Sequence, residues 1–109
     1  MDIDPQFLKG SIGLLLLNLL SRGEMYGYEI LQEAARRSAN AFELKEGTLY
    51  PALHQLEKKG QIKSEWRTAA SGRERKYYAL TAKGRKAAAE YEKQWHHLTG
   101  AMAAILESK

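Results

Sequence analysis

The sequence predicts one mainly α-helical domain that contains a two-stranded β hairpin and ends in a long helix. Apolar residues recur at helical spacing in three segments of the first 60 residues. Two segments of strand character then flank the turn residues Ser71 and Gly72, and a final helical pattern follows Thr81. A chain of 109 residues has room for one modest core. We therefore expect one compact unit.

The first predicted helix starts at Asp4 and Pro5, a capping residue followed by one whose φ suits the first turn. It continues unbroken to Leu20, and its apolar residues cover more than one face, which indicates burial on several sides. Its longest apolar run, residues 12–20, falls short of the roughly 20 residues that span a bilayer. The sequence therefore predicts a core helix and no membrane partner.

The second predicted helix covers residues 26–37, and the third begins at about Gly47 and ends at Gly60. In the third helix, the apolar residues of the inward face fall at i, i+3, i+4 and i+7, beginning at Leu49. Pro51 lacks an amide hydrogen and clashes with the preceding turn, so it is tolerated only near the start. The solvent side of this helix carries Thr48, Tyr50, Pro51, His54 and Lys58.

The two predicted strands cover about residues 61–67 and 75–80, and they lie in the most basic part of the chain. Residues 45–86 hold 11 basic and 4 acidic residues, a net charge of +7, whereas both ends are mildly acidic. Such a local excess attracts polyanions, because each neutralised phosphate releases condensed counterions. A solvated basic surface is the plainer explanation of the same pattern.

Three helices followed by a hairpin is the order of a winged helix-turn-helix domain, in which the third helix enters the major groove of double-stranded DNA. Thr48 and Tyr50 would then contact phosphates or base edges, with His54 and Lys58 further along the helix. The basic hairpin would follow an adjacent backbone or a narrow minor groove. Its candidate residues are Arg73, Arg75 and Lys76.

No catalytic or metal-binding pattern is present in the sequence. The chain has no cysteine, which excludes thiolate sites and suits a reducing cytoplasm. His96 and His97 are adjacent and point about 100° apart around a helix, so they do not converge as an i, i+4 pair would. Neither a glycine-rich phosphate loop nor a nucleophile elbow occurs. We therefore predict a protein that is not an enzyme and has no cofactor.

The final helix carries a heptad seam, which predicts a homodimer. Its apolar residues are spaced 3, 4, 3, 4 and 3 apart: Ala88, Tyr91, Trp95, Leu98, Met102 and Ile105. In a two-fold dimer Trp95 would meet its own copy, and a flat aromatic ligand would fit between the two indoles. Plain packing of Trp95 in the interface is the alternative.

Four segments of the chain resemble the PadR-like family of bacterial transcriptional regulators. They are "YGYEI", "EGTLYPALHQLEKKGQI", "SEW" and "GRERKYYALTAKGR", in that order and at that spacing, across nearly the whole chain. The resemblance implies a winged-helix repressor or regulator that acts as a homodimer, paired mainly through its C-terminal helix. Such proteins often respond to small aromatic molecules or toxic compounds. Because only one helix follows the hairpin, the chain resembles the short type, with residues 1–80 as the DNA-binding domain and 81–109 as the dimerisation helix.

The resemblance also carries individual residues over. Thr48 and Tyr50 match the family motif in the first turn of the recognition helix, and Tyr26 is placed to donate to a phosphate or merely to staple the start of the second helix. Arg73, at the tip of the hairpin, is favoured over its two basic neighbours because strand alternation turns some side chains away. A winged helix that binds protein or RNA without operator specificity is the competing hypothesis.

Overall fold

The structure is a computed structural model, and it describes residues 3–108. Within these residues, five helices and three strands follow one another in the predicted order of helices, hairpin and long final helix. They are α1 (Pro5–Lys9), α2 (Ile12–Leu20), β1 (Met25–Tyr26), α3 (Gly27–Arg37), α4 (Glu46–Lys58), β2 (Ile62–Thr68), β3 (Glu74–Leu80) and α5 (Ala82–Leu106). The predicted fold class, mainly α with a β hairpin in a winged helix-turn-helix arrangement, is confirmed.

The first helical segment is split in two, so the prediction of one continuous helix was wrong. α1 ends at Lys9, Gly10 caps it, and α2 begins at Ile12. Glycine inside a helix costs about 1 kcal/mol relative to alanine. The hydroxyl of Ser11 donates to the carbonyl oxygen of Leu8 at 3.2 Å, a local bond that competes with the helical ladder. The break separates the short helix α1 from the buried helix α2.

The sheet has three strands rather than the two of the predicted hairpin. β1 pairs antiparallel with β3, placing Met25 opposite Tyr78 and Tyr26 opposite Tyr77, and the strand order is β1-β3-β2. Two residues are too short a segment to show the period of a strand. This short strand fastens the hairpin, which we call the wing, directly to the first turn of α3.

The core lies between α2, α3, α4 and one face of the sheet. Of the two adjacent tyrosines on β3, Tyr78 is buried in this core, whereas Tyr77 lies on the opposite face of the sheet. The core consists of Leu16, Leu17, Leu19, Leu20, Ile30, Ala34, Leu49, Leu53, Leu56, Ile62, Tyr78 and Leu80. α4 thus buries the predicted inward face and leaves the opposite side in solvent.

The recognition helix α4 starts at Glu46, one residue before the predicted start. Pro51 is its sixth residue, so the carbonyl of Gly47 lacks the amide that would normally donate to it four residues later. Gly60 follows the helix with a φ of +76°, a conformation that favours glycine. Pro51 therefore lies in the second turn of the helix rather than in its first turn.

The long final helix begins as predicted, with Thr81 as its cap. The hydroxyl oxygen of Thr81 accepts from the amide of Gly84 at 3.1 Å and donates to the carbonyl of Gly60 at 2.6 Å. The first three turns pack on the core through Ala87, Ala88 and Tyr91. Beyond them α5 carries large apolar side chains into solvent. Within residues 3–108, the helices are all too short or too polar to span a membrane.

Candidate nucleic-acid interface

An open cleft of about 770 Å³ lies between the wing and the first turns of α3 and α4. It brings together five of the predicted DNA-binding residues from three separate parts of the chain. They are Tyr26, Tyr50, Arg73, Arg75 and Lys76. The cleft is also lined by Gly27, Tyr28, Glu46, Trp66, Glu74 and Tyr78.

Tyr50 is seated in this cleft against the backbone of Gly27. A Cβ atom added at Gly27 would lie 2.3 Å from the Tyr50 hydroxyl oxygen and 2.9 Å from its Cζ. The hydroxyl also lies close enough to Tyr78 to affect it: the pKa of Tyr78 is raised, first by burial and then by the nearby Tyr50 and Glu57. The absent side chain at position 27 therefore allows the phenol of Tyr50 to lie across the start of α3.

We expect Gly27→Ala to destabilise the protein only while Tyr50 is present. Alanine suits the first turn of a helix better than glycine, so any cost comes from the clash with the phenol. In a Tyr50→Ala background the same change should be neutral or stabilising. The check is a double-mutant cycle on the free energy of unfolding, with an expected coupling of about 1 to 2 kcal/mol. Additive effects of the two substitutions on the free energy of unfolding would contradict the packing of Tyr50 against Gly27.

A ladder of stacked side chains covers the outer face of the wing, opposite the core. The rings of Tyr26 and Tyr77 meet edge to face with centroids 5.4 Å apart. The guanidinium of Arg75 lies 4.5 Å from the centre of the Tyr26 ring, and that of Arg67 lies 4.8 Å from the centre of the Tyr77 ring. Tyr26 is thereby held between α3 and the wing, and its amide donates to Glu29 at 3.1 Å.

Within residues 3–108, Arg67 has carboxylate partners, unlike the basic residues at the wing tip. It forms an ion pair with Glu24, in which one nitrogen–oxygen distance is 2.8 Å, and it lies 3.4 Å from Glu65. The hydrogen bond from Arg67 is the main reason that the pKa of Glu24 is lowered. This ion pair links the wing to the turn before β1, so the guanidinium of Arg67 is already paired with carboxylates of its own chain.

The remaining predicted DNA-binding residues lie on the recognition helix α4 but outside the cleft. Thr48, His54 and Lys58 are exposed on α4. Thr48 lines a separate hollow with Leu44 and Phe42, on the side toward α1. At the wing, Arg73 is exposed in the turn before β3, whereas Arg75 and Lys76 are half-buried within the strand.

Sequence reasoning missed several residues that line the cleft, above all Gly27, Tyr28 and Trp66. Strand parity was the signal available for Trp66, because it has the same parity as Ile62, which faces the core. The position of Gly27 beside Tyr50 follows from the packing of α3 on α4, which no local pattern in the sequence reveals. Glu46 and Glu74 bring negative charge to the same cleft.

The predicted seam of α5 divides into two parts. Ala88 and Tyr91 pack against the chain's own core, and the amide of Gln61 donates to the Tyr91 hydroxyl at 3.4 Å. The outer part leaves large side chains uncovered, with exposed fractions of 42% for Trp95, 54% for Leu98, 48% for Met102 and 69% for Ile105. An apolar strip of this kind on one helix face is typical of an interaction surface.

Trp95 lies at the edge of two clefts beside α2. One, of about 900 Å³, is shared with Leu98 and Leu14, and the other, of about 300 Å³, with Leu14 and Phe42. Among residues 3–108, His, Asp and Glu form no cluster that could hold a metal ion. His96 lies 3.6 Å from Glu92 on the same helix.

Comparison with known proteins gives a consistent picture. A family profile described as "Transcriptional regulator PadR-like family" matches residues 16–90. The chain is 35% identical over 85 residues to the transcriptional regulator Rv3488 of Mycobacterium tuberculosis, which covers 78% of this chain and 76% of that protein.

Solved structures share the whole architecture. A transcriptional regulator from Clostridium thermocellum matches with a TM-score of 0.86 and 29% identity, covering 94% of this chain and 99% of that one. A PadR family transcriptional regulator from Eggerthella lenta matches with a TM-score of 0.83 and 33% identity, covering 95% of this chain and 88% of that one.

Proposed function

We propose, since this chain belongs to the PadR-like family of transcriptional regulators, that it is a homodimeric repressor that binds a specific operator in double-stranded DNA. Members of this family are regulators and not enzymes. The observation that carries the proposal is the cleft in which the start of α3, the first turns of α4 and the tip of the wing face solvent together. Residues 1–80 would bind DNA, and residues 81–109 would form the dimer.

In this arrangement the exposed side of α4 enters the major groove. Tyr50 reaches a phosphate or base edge from the first turns of α4, and His54 and Lys58 follow along the same side. Thr48 reaches a phosphate or base edge from the side of α4 toward α1. Tyr26 donates to a phosphate at the start of α3. Arg73 at the exposed wing tip contacts the flanking backbone, with Arg75 and Lys76 behind it. A two-fold dimer would read a pseudo-palindromic site with half-sites about one helical turn apart.

The decisive experiment is footprinting on the DNA upstream of the chain's own gene, followed by binding to the protected duplex at several salt concentrations. We expect Arg73→Ala to lower the affinity and to reduce the slope of log K against log salt by about two, since each of two copies loses a phosphate contact. Tyr50→Phe should weaken specific binding while the fold survives. Arg36→Ala, which removes the same charge at the far end of α3 beside Glu33, is the matched control.

Unchanged affinity in both Arg73→Ala and Tyr50→Phe would remove these site assignments. Equal affinity for operator and unrelated duplexes would favour the competing function, a winged helix that binds protein or RNA. Repression itself is tested by a reporter gene placed behind the footprinted site, whose expression should rise when the regulator is deleted.

We also propose that Trp95 forms part of a site for a small aromatic effector. Its indole is 42% exposed and lines two apolar clefts beside α2, so a planar molecule has room to stack on it. A ligand alters DNA affinity only if it binds the DNA-competent spacing of the two protomers more weakly or more strongly than the other spacing. Plain packing of Trp95 in the dimer is the alternative.

The effector proposal is tested by titrating planar aromatic compounds while following tryptophan fluorescence. The chain has two tryptophans, so Trp66→Phe leaves Trp95 as the only reporter. We expect saturable quenching by a compound that also releases operator DNA. If no compound does both, Trp95 is a packing residue only.

A further inference from the structure

Trp66 is exposed in a place where a tryptophan gains little from its own chain. It lies on β2 opposite Lys76, and its side chain is on the sheet face that buries Ile62 nearer the helices. The sheet extends past the core at this point, so 65% of Trp66 remains exposed. Its described aromatic contact is the ammonium of Lys76, 5.9 Å from the ring centre.

The indole lies in the cleft that carries the proposed DNA contacts. Tyr50 of the recognition helix and Arg73 of the wing tip line the same cleft, so a duplex that reaches both passes over Trp66. The cationic side chains of Arg73 and Lys76 attract phosphates here, while Glu46 and Glu74 disfavour phosphates in their immediate vicinity. The part of a duplex that suits an indole between them is the apolar carbon edge of the deoxyribose.

We propose that Trp66 is a DNA-contact residue that packs its indole on the sugar edge of the duplex beside the recognition helix. This proposal deepens the proposed function and rests on it. The contact adds affinity by removing apolar surface of the ring and the sugar from water. It does not change the number of neutralised phosphates, and this property separates Trp66 from Arg73 in an experiment.

The test measures the affinity for the footprinted duplex over a range of salt concentrations for Trp66→Ala, Trp66→Phe and Arg73→Ala. We expect Trp66→Ala to bind roughly tenfold more weakly, the scale of an aromatic contact with nucleic acid. Its salt slope should equal that of the native protein, whereas Arg73→Ala has a smaller slope. Trp66→Phe should retain most of the affinity because a ring remains.

If Trp66→Ala is too unstable for a binding measurement, fluorescence tests whether Trp66 contacts DNA. Operator DNA should change the emission of the native protein more than that of Trp66→Phe, which reports Trp95 alone. Native affinity in Trp66→Ala, or an equal emission change in both proteins, would overturn the contact while leaving the regulator function intact. Failure of the native protein to bind any duplex would instead refute the proposed function, and the Trp66 contact with it.

Discussion

Replacing Leu98 with glutamate is expected to convert the proposed dimer into monomers of 12.3 kDa. Leu98 is 54% exposed in the single chain and lies in the middle of the uncovered part of the α5 seam, between Trp95 and Met102. Because the dimer is two-fold, this one substitution places two carboxylates near the axis, one from each protomer. Burying a carboxylate there without a positively charged partner is costly. A penalty of about 3 kcal/mol or more raises the dissociation constant at least about 100-fold.

Light scattering at micromolar concentration checks this expectation, with circular dichroism to show whether the separated chains stay folded. Ala89→Glu is the matched control, because on an ideal helix residue 89 points about 180° away from residue 98. Ala89 is exposed in the single chain, so its replacement adds the same charge to the same helix outside the seam. A Leu98→Glu protein that remains dimeric would show that the seam is assigned to the wrong face.

The seam illustrates what sequence periodicity predicts well. The heptad spacing from Ala88 to Ile105 identified which residues share a face of α5, and Trp95, Leu98, Met102 and Ile105 are all exposed large side chains on that helix. Periodicity does not say what covers a face. The core of the same chain covers Ala88 and Tyr91 in part, because α5 packs its first turns against α2 and the sheet.

Caps and core-facing patterns were equally readable, since both are local. Thr81 caps α5, which follows it as predicted, and the inward face of α4 buries Leu49, Leu53 and Leu56. The break between α1 and α2 was missed because apolar residues continue across it, although Gly10 and Ser11 weaken the helix there.

The parts of the site that escaped prediction depend on contacts between distant segments. β1 is only two residues long and exists because β3 pairs with it. Gly27 and Tyr50 belong to different helices, and the fit of the phenol against the glycine arises only when α3 packs on α4. Trp66 follows strand parity, but its exposure depends on how far the core extends beneath the sheet.

The largest loss of stability from one added methyl group is expected at Gly84, where α5 joins the wing domain. Gly84 is buried in the first turn of α5, and a Cβ there would lie 1.9 Å from the carbonyl oxygen of Gln61 and 2.9 Å from its carbon. The Gln61 carbonyl cannot move freely, because it accepts the amide of Thr81 at 3.1 Å. Leu80 closes the third side, with its Cδ2 at 3.1 Å from the added atom.

We therefore expect Gly84→Ala to lower the free energy of unfolding by about 3 kcal/mol or more, since α5 must move off the start of β2. For a domain of this size that corresponds to a melting temperature roughly 10 °C or more below the native value. The measurement is thermal unfolding at one fixed protein concentration, because dimerisation makes the melting temperature depend on concentration.

Gly100→Ala makes the same chemical change further along the same helix and serves as the control. An added Cβ at Gly100 meets nothing within 4 Å among residues 3–108, so the improved helix propensity should raise stability by up to about 1 kcal/mol. Opposite signs for two glycine-to-alanine changes in one helix would separate the clash from propensity. Because α5 also carries the proposed dimer seam, Gly84→Ala should displace the two recognition helices of the dimer and so weaken operator binding. Gly100→Ala should leave operator binding unchanged. A Gly84→Ala protein that melts with the native chain would mean that α5 does not pack against Gln61 in solution.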